Sequence, residues 1–404
     1  MLEPDVLERL RSGDGADTLA AAMAMEDVTA AAVARLRRGA PAELVTAALE
    51  VAAARKSLRG RRADWDTFWA DRAGAAQASD DASAAWKAAR LADAPAVADL
   101  CCGCGADLKA LAVTGARGVD MRSDRAWMAH ANSGRPCEVT DVTTASIEEP
   151  AVHIDPSRRV EASGERRHGW DMLQPGPEFL RSLLGRVSWL AVKLGPGVEI
   201  PASERSADSE LAFLSRDRRL TQAVLLTGGA VRHPGRNTAV RLVDGAELAG
   251  VPTWTAMHGD PAWPAADRWD RWIAEPDPAL ERSGLLPIAA AVLGLRERTP
   301  GLGLCTTGAR PAATADRADW FRWFEVVETT PPRLDHLRRR LRALGAGTVE
   351  VKVRGRVVPA EAWSRALRGH GNEPLVVFVH RIGTGSEAVI ARRMAAAGTQ
   401  PPAT

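Results

Sequence analysis

Val97-Ala98-Asp99-Leu100-Cys101-Cys102-Gly103-Cys104-Gly105-Ala106-Asp107 reads as an apolar strand running into a glycine turn and then a helix, with acidic residues at both edges of the turn. Gly118-Val119-Asp120 follows, a second apolar strand end that closes on a carboxylate. Such a pair suits a nucleoside ligand lying across the carboxyl ends of two parallel strands. There the glycines let the backbone approach the ligand, and Asp120 accepts hydrogen bonds from both ribose hydroxyls. Two cofactor classes use this arrangement: nicotinamide or flavin dinucleotides, and S-adenosylmethionine. A dinucleotide fingerprint needs G-x-G-x-x-G, and here the third glycine position is Leu108. Asp99 and Asp107 are poor neighbours for a pyrophosphate, because like charges repel. S-adenosylmethionine carries an ammonium and a sulfonium and no phosphate, so the reading favours it.

The chain has 404 residues, enough for two or three domains, and a formal net charge of only +2. Its five cysteines, three of them at 101, 102 and 104, do not form an extracellular disulfide framework. The acidic start Met1-Leu2-Glu3-Pro4-Asp5 lacks the basic and apolar regions of a signal peptide. The longest strongly apolar stretch, residues 284–295, is too short to span a bilayer. The expectation is a cytoplasmic protein without a membrane partner. The chain contains no tyrosine, so tryptophan, phenylalanine or histidine must serve wherever a stacking platform is needed.

Residues 1–92 are alanine-rich and predict a helical N-terminal region, with helices over 42–54 and 83–91. From Pro95 strands alternate with helices. Strands are predicted at 96–100, 116–120, 137–140, 151–154, 189–194, 222–226 and 239–243, and helices at 107–113, 124–132 and 178–184. Carboxylates stand at successive strand ends, Asp120, Asp141 and Asp155. The fold class expected is α/β: a doubly wound, Rossmann-like sheet over 93–245 with the ligand at its carboxyl edge. Residues 246–319 read as a connecting region with a helix within 278–294. A small α+β domain follows over 320–395, with strands at 323–328, 348–353 and 375–380 and helices at 333–344 and 359–369. Leu334, Leu337, Leu341 and Leu344 share one helical face, and Arg338, Arg339, Arg340 and Arg342 lie mostly on the rest. This last module holds 14 Arg and Lys against 7 Asp and Glu, which suggests an anionic partner.

At this point the chain resembles the bacterial class I S-adenosylmethionine-dependent methyltransferases with a C-terminal THUMP-like domain. The resemblance rests on the turn at 99–105, on His153-Ile154-Asp155-Pro156-Ser157-Arg158-Arg159, and on Lys193-Leu194-Gly195-Pro196-Gly197. Glu275-Pro276-Asp277-Pro278 and the tail from Val353-Arg354-Gly355 through Arg368-Gly369-His370-Gly371-Asn372 complete it. It implies that Asp99, Gly103 and Gly105 surround the methionine end of the cofactor, where Cys101 narrows the pocket, and that Asp120 holds the ribose and Asp141 the adenine amino group. It also implies that Asp155 and Pro156 lie beside the transferred methyl. Cys101 and Ala106 depart from the wider superfamily, where glycine is common, and Ala274 stands where an aromatic is expected.

Asp155, Pro156 and Arg158 form the catalytic candidate. Asp155 can orient an amino group, and Arg158 with Arg159 can hold a phosphate or carboxylate. The alternative is a proline-terminated strand with surface arginines. Asp120 and Asp141 each have the alternative of capping a helix. No aromatic follows Pro156, so Trp170 is the candidate stacking surface for a flipped base, with a packed core role as its alternative. Pyrimidine C5 methylation needs a cysteine nucleophile after the catalytic strand, and only Cys305 remains, which disfavours it. Cysteines 101, 102 and 104 have no second pair or histidine at ligand spacing and read as small packing residues rather than a metal site. The expected function is methyl transfer to a base nitrogen of RNA, with the basic C-terminal module as the RNA partner surface. The alternatives are a small-molecule methyltransferase and a non-catalytic RNA-binding protein.

Overall fold

The computed structural model describes residues 2–158, 169–256, 258–309, 312 and 315–394. They form two compact units. The first takes in the chain to Leu214 together with Thr221–Arg236 and Leu242–Ala246, and the second takes in Ser215–Leu220, Asn237–Arg241 and the chain from Glu247.

The first unit opens with helices α1 Pro4–Arg11, α2 Gly13–Met23, α3 Ala30–Gly39, α4 Ala42–Leu58, α5 Arg72–Gln77 and α6 Asp81–Arg90. Alanine and leucine dominate them because both lose little side-chain freedom in a helix. Leu7, Leu10, Leu44, Val51 and Leu58 pack with Phe68 and Trp69, and the same core includes Cys104, Ala106 and Met128 of the region that follows. The helical region thus shares its core with the sheet region. Asn132 secures the junction: its Oδ1 accepts from the Trp69 backbone at 2.8 Å, and its Nδ2 donates to the Trp69 and Cys104 carbonyls at 2.8 Å each.

The sheet of this unit comprises β1 Ala96–Leu100, β2 Gly115–Asp120, β3 Cys137–Val139, β4 Ala151–Ile154, β5 Trp189–Leu194, β6 Glu210–Arg216 and β7 Arg219–Gly228. These seven strands follow the order β6-β7-β5-β4-β1-β2-β3 within a nine-stranded sheet. β3, β2, β1, β4 and β5 run parallel, and β7 runs antiparallel to β5. Helices α7 Ala106–Ala110, α8 Ser123–Ser133 and α9 Pro177–Leu184 lie in the connections. The order reverses between β1 and β4, which opens a crevice at the carboxyl edge. Register levels that edge. Leu100 pairs with Val119 on one side and Ile154 on the other, and Ile154 pairs with Val192. The next residue on each strand, Cys101, Asp120, Asp155 and Lys193, therefore falls in one row.

Sequence and structure differ in a few elements. The helix expected over 107–113 ends at Ala110, where Leu111 turns extended. Strand β6 had no counterpart in the reading, because it is buried almost throughout and shows no alternation of polar and apolar residues.

The second unit contains a seven-stranded sheet of β8 Trp272–Pro276, β9 Arg296–Glu297, β10 Cys305–Thr307, β11 Phe321–Thr330, β12 Ala346–Arg354, β13 Glu373–Ile382 and β14 Gly385–Arg393, in the order β9-β10-β8-β11-β14-β13-β12. Residues 246–319 thus supply three strands of this sheet as well as helices α10 Pro278–Ser283 and α11 Leu286–Val292. Helices α12 Leu334–Ala343 and α13 Ala360–Leu367 belong to the same unit, and Leu337, Leu341 and Leu367 pack on Val349, Val377 and Ile390. The Glu275-Pro276-Asp277-Pro278 motif has a structural use here. Asp277 caps α10 by accepting from the Ala279 N–H at 3.0 Å, and Glu275 is ion-paired to Lys352 at 2.9 Å. Ala274, buried in β8 and paired with Trp323, presents no surface to a substrate.

Candidate active site

A cavity of about 1200 Å³ lies within the first unit at the carboxyl edge of the sheet. Of the residues singled out from the sequence, Cys101, Gly103, Asp120, Asp141, Asp155 and Pro156 line it, and Asp99 and Gly105 do not. The side chain of Arg158 lies outside what the structure describes, as does residue 159.

The turn is left-handed at three positions, Cys101 (φ 55°), Gly103 (φ 54°) and Gly105 (φ 74°). Only glycine adopts this region without strain, so Cys101 departs from glycine at a position whose geometry asks for it. Gly103 has no atom within 4 Å of where a Cβ would stand, which leaves its backbone open to a ligand. Gly105 has the opposite surroundings: a Cβ there would stand 2.7 Å from the Ala129 Cα, so this glycine lets α7 pack on α8.

The two acids that flank the turn are both committed to cations or rings. Asp99 is 1% exposed, and its Oδ1 lies 2.6 Å from His153 Nδ1. Burial pushes its carboxyl above the usual range, and His153 opposes this. Asp107 pairs with Lys87 at 2.7 Å and faces Lys193 at 3.7 Å. Burial raises the Asp107 carboxyl, and the two lysines reverse this and hold it below the usual carboxylate range. Neither acid is a free carboxylate for an ammonium group, so the charges that favoured S-adenosylmethionine in the sequence are neutralised locally. The acids at the strand ends, Asp120, Asp141 and Asp155, are partnered too, but all three line the cavity.

Asp120 accepts from the Gly103 N–H through Oδ2 and from the Arg122 N–H through Oδ1, each at 3.0 Å. It therefore ties the turn to the end of β2. Asp141 accepts from Thr143 N–H at 2.9 Å and Thr143 Oγ at 2.8 Å, and these bonds hold its carboxyl below the usual range. No helix follows it, so these bonds close a turn rather than cap a helix, and its side chain still borders the cavity. Asp155 Oδ2 accepts from Lys193 Nζ at 2.6 Å. Burial lowers the Lys193 ammonium, but Asp155 and Asp107 raise it further, so it stays protonated.

Several lining residues had no place in the sequence reading. The segment Gly74 through Ser79, from the N-terminal helical region, forms part of the wall, as do Met121, Val142, Phe179 and Gln222. Behind it Lys87 donates to Ser79 Oγ at 3.0 Å and Gln222 Oε1 at 3.1 Å. Lys193 stands in the sequence only as the head of the Lys193-Leu194-Gly195-Pro196-Gly197 motif, and the signal for its role is that it is a single cation near the carboxyl end of the otherwise apolar run Trp189-Leu190-Ala191-Val192-Lys193-Leu194. Trp170 is not part of the wall. It is 4% exposed and packs in the core, so its stacking expectation gives way to the core alternative. The Cys101 thiol is pushed up by burial and by nearby carboxylates, and Cys305 by burial, so neither supplies a thiolate at neutral pH.

A doubly wound sheet, a glycine turn and a cavity at the topological switch with ample room for a nucleoside define an α/β enzyme with a nucleoside-containing cofactor. Comparison with known proteins specifies it. An uncharacterized S-adenosylmethionine-dependent methyltransferase of Mycobacterium tuberculosis (strain CDC 1551 / Oshkosh) is 31% identical over 300 residues, covering 72% of this chain and 78% of the relative. Its counterpart in strain H37Rv matches equally. The THUMP domain-like family matches residues 321–393. A crystal structure of a putative methyltransferase from Porphyromonas gingivalis W83 shares the fold, with a TM-score of 0.70 over 95% of this chain and all of that one at 18% identity. The chain belongs to the class I S-adenosylmethionine-dependent methyltransferases with a C-terminal THUMP-like domain. The site fits the cofactor: the Gly103 backbone is open, and the Asp120 carboxylate keeps lone pairs beyond its two backbone bonds. No helix among the described residues is long and apolar enough to cross a membrane.

Proposed function

We propose that this enzyme methylates a base nitrogen of RNA in the cytoplasm, with Asp155 as the residue that orients the acceptor. Bound S-adenosylmethionine supplies an electrophilic methyl group on its sulfonium. Around it, Asp120 takes the ribose hydroxyls, Asp141 the adenine amino group, and the backbone of Cys101 and Gly103 the methionine end. Asp99 and Gly105 act behind the wall, the first by holding His153 and the second by seating α7 on α8.

The observation that carries the reading is the state of Asp155. One oxygen is held by Lys193 at 2.6 Å, and the side chain is still 33% exposed toward the cavity. Its other oxygen is positioned to accept an N–H from the acceptor and so to aim the nitrogen lone pair. Pro156 follows Asp155 in the same wall, and Arg158 remains the candidate for an anionic group of the substrate. Cys305, the one cysteine after the catalytic strand, is buried with its thiol pushed up, which argues for nitrogen over pyrimidine C5. RNA is favoured by the THUMP-like module. Exposed Arg333, Arg339, Arg342, Arg365 and Arg368 on or beside α12 and α13 have no ion-pair partner among the described residues. Such cations bind phosphates in a salt-dependent manner.

Mass-spectrometric comparison of RNA nucleosides from cells with and without the gene tests this. One methylated nucleoside should vanish on deletion and return with the wild-type gene but not with Asp155→Ala. An unchanged profile would refute the RNA assignment.

A further inference from the structure

Helix α9 places Leu180 and Leu183 in the core, at 2% and 0% exposure. These two lie three apart, on one face. Phe179 precedes Leu180 and is turned about 100° away from it around the helix axis. It is half-buried, and it lines the cavity together with Glu178 and Ser182 of the same helix. Among the described residues it is the only aromatic side chain in that lining. Its ring has no aromatic or cationic partner among the described residues, whereas most other rings of the chain are paired with one. An apolar ring facing an open cavity forgoes the burial that its neighbours Leu180 and Leu183 achieve, and a flat ligand would restore it. Pro156 and Pro175 border the same cavity with rigid apolar rings, and Asp155 brings a carboxylate oxygen to it.

We propose that Phe179 is the stacking seat of the methyl acceptor: a planar nitrogen heterocycle lies on its ring and offers an N–H at its edge to Asp155. This rests on the RNA reading above, since a base must leave its stack to enter the cavity. It assigns to α9 the stacking role for which the sequence offered Trp170.

The test uses the full-length protein with Phe179→Ala, Phe179→Leu and Phe179→Trp. Tritiated methyl incorporation into RNA purified from cells lacking the gene is measured alongside calorimetric binding of S-adenosylhomocysteine. Phe179→Ala and Phe179→Leu should lower kcat/KM by about 5- to 150-fold, the range of base–aromatic stacking. Phe179→Trp should stay near wild type, and S-adenosylhomocysteine affinity should be unchanged in all three. Full activity of Phe179→Ala, or Phe179→Leu equal to wild type, overturns the seat. A second readout is saturation-transfer NMR of the S-adenosylhomocysteine-loaded protein with a mixture of the four ribonucleosides. Transfer to base protons should occur in wild type and be lost in Phe179→Ala, and its absence from wild type also overturns the seat. No methyl incorporation by wild type, with saturation transfer intact, overturns the RNA reading and leaves the seat standing.

Discussion

Asp120→Ala gives the sharpest test of the cofactor site. The Asp120 carboxylate has about four lone-pair positions. Two are used by the Gly103 and Arg122 N–H groups at 3.0 Å each, which leaves two, the number that a ribose diol requires. Hydrogen bonds to a charged group contribute about 1.5–3 kcal/mol each. Losing two therefore removes about 3–6 kcal/mol, which is a rise of about 10²- to 10⁴-fold in the Kd for S-adenosylmethionine. Asp120→Asn should also weaken binding, because its NH₂ must face one of the two backbone donors. Calorimetry with S-adenosylhomocysteine and with its 2′-deoxy analogue checks the assignment. Wild type should bind the deoxy analogue about tenfold or more less tightly, and Asp120→Ala should not distinguish the two. An equal deoxy penalty in both proteins would refute ribose binding by Asp120.

Lys193→Met removes the cation that holds Asp155, so methyl transfer should fall by about 10²-fold, as expected for a misplaced orienting group, with cofactor Kd within twofold and partial rescue by Lys193→Arg. Unchanged kcat would sink the positioning role. Gly105→Ala combines left-handed strain of about 1–2 kcal/mol with displacement of the α8 backbone, worth about 1–3 kcal/mol more, whereas Gly103→Ala carries the strain alone. Denaturant midpoints should therefore rank Gly105→Ala as the less stable, and equal midpoints would contradict the packing argument. In the second unit, burial raises the Glu281 carboxyl to about 7, with Arg354 opposing. A folded-state value above the unfolded value of about 4.3 means stability is highest below that value and is lost as pH rises toward 7. Glu281→Gln should flatten this slope and raise Tm at pH 8 relative to wild type, and a constant difference in Tm from pH 5 to 8 would show that Glu281 does not titrate there.

The features that point to S-adenosylmethionine differ in how far residue identity alone reveals them. The missing third glycine at Leu108 was legible because it is a matter of residue identity. The local charge at Asp99 and Asp107 was not legible, because their partners His153, Lys87 and Lys193 are remote in the chain. Asp99 lies 54 residues from His153, a distance at which no local pattern reports pairing.

By itself the sequence determined the alternation of strands and helices, the glycine turn, and the acids at strand ends, since these follow from local apolar periodicity and backbone preference. It also marked the basic C-terminal module, which depends only on composition. Tertiary structure alone decided which charges remain free, which aromatic ring faces the cavity, and that the N-terminal helices contribute Gly74 through Ser79 to its wall. It also turned the supposed connecting residues into strands of the second sheet. Those outcomes depend on pairings between distant segments: register puts Lys193 level with Asp155, and helix packing turns Phe179 out of the core while burying Trp170. Free energies of burial and ion pairing are properties of that assembled neighbourhood, and a residue carries no record of it until the chain has folded.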